Sequence, residues 1–201
     1  MAITWKMQIS REAKWWFSHV YPHIAIISHA DWFKYIYKLY CSSIHNLPFE
    51  KALEIGPGGS GGYLPLIRNI GKRYAVEPIA DQLREKGFLP YTDHIKYYSC
   101  FAEKMPFGDG SFDLIVITNA LDHVEDVDKV LAEMYRVLKK GGYVLFFTYL
   151  KVDKPHPTTW YSPEEARALF KDYDCIESHF IKSSHALDTP RNDYYVAIFQ
   201  K

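Results

Sequence analysis

Short apolar runs alternate with segments of helical periodicity from residue 50 onward. Runs at Lys51 to Ile55, Arg73 to Glu77, Ile95 to Cys100, Phe112 to Thr118 and Tyr143 to Leu150 read as strands. Alternation of this kind predicts a parallel sheet covered by helices on both faces. The best-defined helix spans Val127 to Lys140. There Val127, Val130, Leu131, Met134, Val137 and Leu138 share one face, acidic residues lead, Lys139-Lys140 trail and Gly141-Gly142 form the stop. Another helix opens at Ser162-Pro163-Glu164-Glu165, with Ser162 as N-cap, Pro163 in the first helical position and Glu165 completing a capping box. The last two apolar runs, Cys175 to Ile181 and Tyr194 to Phe199, are joined by a turn-rich stretch containing Thr189-Pro190-Arg191-Asn192-Asp193. An antiparallel hairpin is the expected end of the sheet.

Residues 1 to 49 have a different character. They hold four of the five tryptophans (Trp5, Trp15, Trp16, Trp32) together with Phe17, Tyr21, Phe33, Tyr35, Tyr37 and Tyr40, and Pro22 divides one helix from the next. The expectation is an aromatic-rich helical cap or lid over residues 1–49 and one compact domain over 50–201. Most of these aromatics should pack the helices onto the sheet, with a minority lining a site for an apolar or aromatic ligand.

Composition narrows the class. A chain of 201 residues with formal net charge zero is long enough for a substantial core and lacks the basic excess of a large nucleic-acid footprint, so no nucleic-acid partner is expected. The three cysteines, Cys41, Cys100 and Cys175, show no CxxC spacing and read as buried free thiols in a reducing compartment. The first residues lack the pattern of a signal peptide, and no apolar run is long enough for a membrane span, so the expected location is cytoplasmic. No clustered His, Cys, Asp or Glu spacing indicates a metal. The oligomeric state is not written in the sequence.

The most specific chemistry lies in Ala52-Leu53-Glu54-Ile55-Gly56-Pro57-Gly58-Gly59-Ser60-Gly61-Gly62, where a strand ends at an acidic residue and runs into a glycine-dense turn. Glycine tolerates positive φ and lets a backbone approach a bound nucleoside. A second acidic residue, Glu77, closes the next strand about 20 residues past the first glycine, the spacing at which a carboxylate meets ribose hydroxyls. Gly56-x-Gly58-x-x-Gly61 also satisfies the dinucleotide fingerprint, so an NAD-dependent oxidoreductase fits this segment as well, and a tight turn with no ligand would carry the same glycines.

Further along, Ala102-Glu103-Lys104-Met105-Pro106-Phe107-Gly108-Asp109-Gly110-Ser111-Phe112-Asp113-Leu114-Ile115-Val116 is followed by Asn119-Ala120-Leu121-Asp122-His123-Val124. Leu131-Ala132-Glu133-Met134-Tyr135-Arg136-Val137-Leu138-Lys139-Lys140-Gly141-Gly142 comes next. In this ordered series, over about residues 50 to 150, the chain resembles class I S-adenosylmethionine-dependent methyltransferases, most closely their small-molecule branch. The resemblance implies an α/β, Rossmann-like fold with a mostly parallel seven-stranded sheet and an antiparallel C-terminal hairpin. It also implies S-adenosyl-L-methionine as cofactor and S-adenosyl-L-homocysteine as product.

By the same resemblance Glu54, Gly56, Gly58, Gly59 and Ser60 would lie under the methionine part of the cofactor. Glu77, followed by Pro78, would hold the ribose diol. Phe101, Ala102 and Glu103 would flank the adenine, and Asn119 and Ala120 would approach the sulfonium. Two positions depart from the family pattern. Ser60 stands where a glycine is usual, and Phe101 where an aspartate often bonds the adenine amino group. That contact would pass to Glu103 or to backbone groups, or Phe101 would stack on the ring.

Methyl transfer from a sulfonium is an in-line displacement with an activated donor, so the protein acts mainly by placing the acceptor. An acceptor that loses a proton calls for a base. His123, just past the fourth strand, is the first candidate, with Asp122 behind it; His156 is the second, and a structural or solvated histidine is the alternative for each. Tyr149, after the fifth strand, lies where the family often meets substrate. Thr118-Asn119-Ala120-Leu121 is unlike the Asn-Pro-Pro-Tyr type of base and amide methylases, which points to a small-molecule acceptor, apolar or aromatic. A non-catalytic module that binds S-adenosylmethionine is the remaining alternative.

Overall fold

The computed structural model of the chain describes residues 14, 33–60, 62–89, 93–150, 158–182 and 193–201. Seven strands form one sheet: β1 (Phe49–Ile55), β2 (Ile70–Val76), β3 (Ile95–Tyr98), β4 (Phe112–Thr118), β5 (Leu138–Leu150), β6 (Asp174–Ile181) and β7 (Asp193–Gln200). Their order is β3-β2-β1-β4-β5-β7-β6. The first five strands run parallel. β7 is antiparallel to both β5 and β6, so the expected terminal hairpin inserts its second strand beside β5.

The central strands are apolar on both faces, as a doubly covered parallel sheet requires. Ala52, Leu114, Val116, Leu145, Phe147 and Val196 point to one face; Leu53, Ile55, Ile115, Ile117, Phe146 and Phe199 point to the other. The first face is closed by a helical segment over 33–40 (α1), through Phe33 and Ile36, and by α2 (Ala80–Glu85), through Ala80 and Leu83. The second is closed by α3 (Val127–Val137), through Val130, Met134 and Val137, and by α4 (Pro163–Ala168), through Ala166.

Helix signals in the sequence act where they stand. Asp126 accepts a bond from the Lys129 N–H at 3.1 Å, and Ser162 Oγ accepts from the Glu165 N–H at 3.2 Å. Glu165 reaches back to the Tyr161 N–H at 2.9 Å, one residue beyond the expected box partner. The helix read as Val127 to Lys140 ends earlier, at Val137. Leu138 has already turned extended (φ −80°, ψ 134°) and pairs with Phe112. The helix's last carbonyls are satisfied from outside, Arg136 O by the Gly110 N–H (2.9 Å) and Val137 O by the Ser111 N–H (2.7 Å). Pairing with β4 therefore overrides the helical periodicity of Leu138.

Phe33, Ile36, Cys41 and Ile44 belong to the buried cluster of the first face. A 3-10 turn, Ser42–Ile44, is held from the far edge of the sheet by Glu177 of β6, whose carboxylate accepts from the N–H groups of Ser42 (3.3 Å) and Ser43 (2.9 Å) and from Ser42 Oγ (3.2 Å). Trp5, Trp15, Trp16 and Trp32, and the histidines of residues 1–32, lie outside the described residues. Of the cysteines read as buried thiols, Cys41 is buried, whereas Cys100 and Cys175 are only partly buried, one in the loop after β3 and the other on the edge strand β6. Among the described residues no helix is long and apolar enough to cross a membrane.

Candidate functional site

The carboxyl ends of β1, β2 and β4 converge on the glycine turn, the position where open α/β sheets receive ligands. Gly56 has φ +67°, and a Cβ there would lie 2.6 Å from Ala120 Cβ. Only glycine allows the ends of β1 and β4 this close. Its N–H donates to Val76 O (2.9 Å), which fixes the start of the turn to β2. Gly58 and Gly59 are buried, and Gly58 to Ser60 form a 3-10 turn.

Glu77, 7% exposed, faces this turn. One carboxylate oxygen accepts from the Gly58 N–H (3.0 Å) and the other from the Ile79 N–H (3.2 Å). Pro78 follows, and its carbonyl accepts from Ser99 Oγ at 3.2 Å. Phe101 is 43% exposed, while Ala102 is buried. Glu103 is engaged on the other side, where its Oε1 accepts from the N–H groups of Glu125 (2.9 Å) and Asp126 (3.3 Å) ahead of α3.

Glu54 is buried and serves the far end of the turn. Both of its oxygens accept from the Tyr63 N–H (2.9 and 2.8 Å), and Oε2 also accepts from the Leu64 N–H (3.0 Å). Burial raises its pKa to about 7, more than the Leu64 and Tyr63 hydrogen bonds lower it. Its role as a backbone anchor has no signature in sequence, because the partners are main-chain groups.

At the end of β4, Asn119 adopts φ +48°, a left-handed conformation that is uncommon outside glycine and marks a constrained position. Its N–H donates to Phe147 O (2.9 Å) and its Oδ1 accepts from the Tyr149 N–H (3.0 Å), so it locks β4 against the end of β5. The 3-10 turn Leu121–His123 follows, with His123 Nε2 3.5 Å from the buried Asp122 Oδ2. His156 lies outside the described residues. Among the described residues no group of three or more His, Cys, Asp or Glu is arranged to hold a metal.

A glycine cradle that a Cβ would fill and a buried carboxylate turned toward it fit a nucleoside-bearing cofactor of the S-adenosylmethionine type. The comparisons agree. A family model described as a methyltransferase domain matches residues 53–146. The ubiquinone/menaquinone biosynthesis C-methyltransferase UbiE of Xanthomonas campestris pv. campestris is 32% identical over 148 residues, 67% of this chain and 53% of that protein. The chain thus spans about half the length of the curated relatives it matches. Among solved structures, a putative methyltransferase from Bacillus halodurans superposes with TM-score 0.62 at 16% identity, over 79% of this chain and 96% of that one. The cyclase SpnF superposes with TM-score 0.63 at 14% identity, over 84% and 81%.

The fold and the turn define a Rossmann-like nucleoside-binding domain. Over residues 53–146 the chain matches the methyltransferase-domain family, and its site fits S-adenosylmethionine as cofactor.

Proposed function

We propose that the chain transfers a methyl group from S-adenosylmethionine to a small apolar or aromatic acceptor. The observation that carries this reading is the buried Glu77 carboxylate turned onto Gly58, at the spacing and depth that suit a ribose diol. Glu77 holds the ribose, and Gly56, Gly58, Gly59 and the backbone of Ser60 accommodate the methionine end. Pro78, Phe101 and Ala102 flank the adenine, with Phe101 stacking in place of an aspartate; Glu103 contributes by fixing the loop ahead of α3. Asn119 and Ala120 sit nearest the sulfonium.

The bound cofactor supplies an already activated methyl group. The protein's part is to hold the acceptor in line with it, a term that reaches about 7–11 kcal/mol in favourable cases. Where the acceptor loses a proton, His123 is positioned to receive it on a ring nitrogen, with the buried Asp122 carboxylate favouring the imidazolium that forms. His156 is the second candidate.

Residues 1–49 act as a cap over the acceptor side, and 50–201 as the cofactor domain. The curated relatives are named as carbon methylases of ubiquinone and menaquinone biosynthesis, which makes aromatic or quinone-type carbon acceptors the first class to screen. The uncomplicated cysteine chemistry suits a cytoplasmic setting.

The test is acceptor-dependent formation of S-adenosylhomocysteine across a panel of such acceptors. Turnover with a small aromatic acceptor supports the reading. Tight cofactor binding with no turnover on any acceptor favours a binding module, or another use of the same fold. Glu77→Ala should weaken cofactor binding by about 1–3 kcal/mol, the loss of hydrogen bonds to a charged group; unchanged affinity in a folded variant would remove Glu77 from the site.

A further inference from the structure

Tyr63 joins three parts of the molecule that the proposed function treats separately. Its N–H donates to both oxygens of Glu54, at 2.9 and 2.8 Å, which ties it to the end of β1. The residue before it, Gly62, has φ +73°, and a Cβ there would stand 2.3 Å from Glu54 Oε2. The backbone therefore wraps the carboxylate closely, and the turn cannot shift without breaking those bonds. The Tyr63 ring stacks on Phe33 of α1, with centroids 4.1 Å apart and planes at 14°. Its phenol lies near Tyr149 as well as Glu54, and both add to the effect of burial in disfavouring its ionised form. Tyr149 is in turn held by Asn119.

We propose that Tyr63 is a positioning residue that couples cofactor binding to the docking of helix α1, through the linked contacts Glu54–Tyr63–Phe33. The inference rests on the cofactor reading above. The turn over 56–62 is rich in glycine, so holding it in one conformation costs more backbone entropy than an ordinary turn would. Anchoring its far end at Tyr63 reduces the ordering that binding has to impose, in the way any preorganisation does. Coupling between two sites is reciprocal: if the docked helix favours the cofactor-competent turn, the cofactor favours the docked helix to the same degree.

Calorimetric titration with S-adenosylhomocysteine, together with amide hydrogen exchange of residues 33–40 with and without it, tests the coupling. In the wild-type protein the nucleoside should slow exchange in α1. Tyr63→Ala and Phe33→Ala should bind it about tenfold more weakly, within the usual range of coupling between sites. Both should lose the ligand-dependent protection of α1 while β4 and β5 remain protected. Tyr63→Phe, which keeps the stacking ring, should restore affinity and protection. Phe33→Leu keeps buried apolar surface without the ring and supplies the same comparison if the alanine variant does not fold. Equal affinity of Phe33→Ala, or of Phe33→Leu, with the wild type would overturn the coupling alone, as would ligand-dependent protection that persists in Tyr63→Ala. A wild-type protein that binds no S-adenosylhomocysteine would overturn the cofactor reading and the coupling with it.

Discussion

Glu54 and Glu177 do the same local work in two regions of the molecule, each gathering the backbone N–H groups of a short 3-10 turn, and their acidities move in opposite directions. Glu177, at the edge of the sheet, holds Ser42–Ile44. Burial pushes its pKa up, but hydrogen bonds from Ser43, His179 and Ser42 together outweigh burial and bring it down to about 2. Glu54, at the carboxyl end of β1, holds Tyr63 and Leu64. There burial outweighs the backbone bonds and the pKa rises to about 7. The edge turn is anchored by a fully compensated charge. The backbone at the far end of the glycine turn is anchored by an under-compensated one, and perturbed acids of this kind concentrate at functional sites.

The contrast fixes the pH dependence of each anchor. Folded Glu54 keeps a proton that the unfolded chain releases near the ordinary value of 4.5. Its contribution is therefore fully present below that value and is lost as pH rises through about 7. Glu177 contributes above 4.5, and the contribution is lost as pH falls through about 2.

The comparison breaks most sharply with Glu54→Ala. It leaves the Tyr63 and Leu64 N–H groups without their acceptor and should cost about 3 kcal/mol in urea unfolding, the sum of two buried donors left unpaired. Glu54→Gln keeps an acceptor oxygen; it should flatten the fall in stability between pH 5 and 7 as followed by thermal unfolding, and an unchanged slope would show that Glu54 does not hold the proton. Gly62→Ala should cost about 2 kcal/mol, combining left-handed strain with displacement of the Glu54 carboxylate. Gly87→Ala is its control: it has φ +69° but nothing within 4 Å of the added Cβ. It should cost about 1 kcal/mol, from strain alone. Smallest in effect, Glu177→Gln should change neutral-pH stability by about 1 kcal/mol and remove part of the acid-side loss below pH 4.5.

Much of the fold was legible in the chain because burial on both faces of a central strand leaves a continuous apolar signal. β4 runs from Phe112 to Thr118, as its pattern reads. β2 begins three residues ahead of its pattern, at Ile70, because Gly71 and Lys72 are exposed and interrupt the apolar run while Ile70 and Lys72 still pair with β1. Leu138 was misread because its spacing continues the helix, whereas its ladder partner Phe112 lies elsewhere in the sequence. In the site, the glycines, Glu77 and Asn119 stand out by residue type and position. The partners of Glu54 do not, since any residue supplies an N–H group. The contact of Glu177 with Ser42, across 135 residues, leaves no local trace at all.

Calorimetric titration of the purified protein with S-adenosylmethionine, S-adenosylhomocysteine and NAD tests the central claim most directly. Saturable binding of the first two without binding of NAD is the expected result. Binding of NAD alone, or of none of the three by a folded protein, would contradict it.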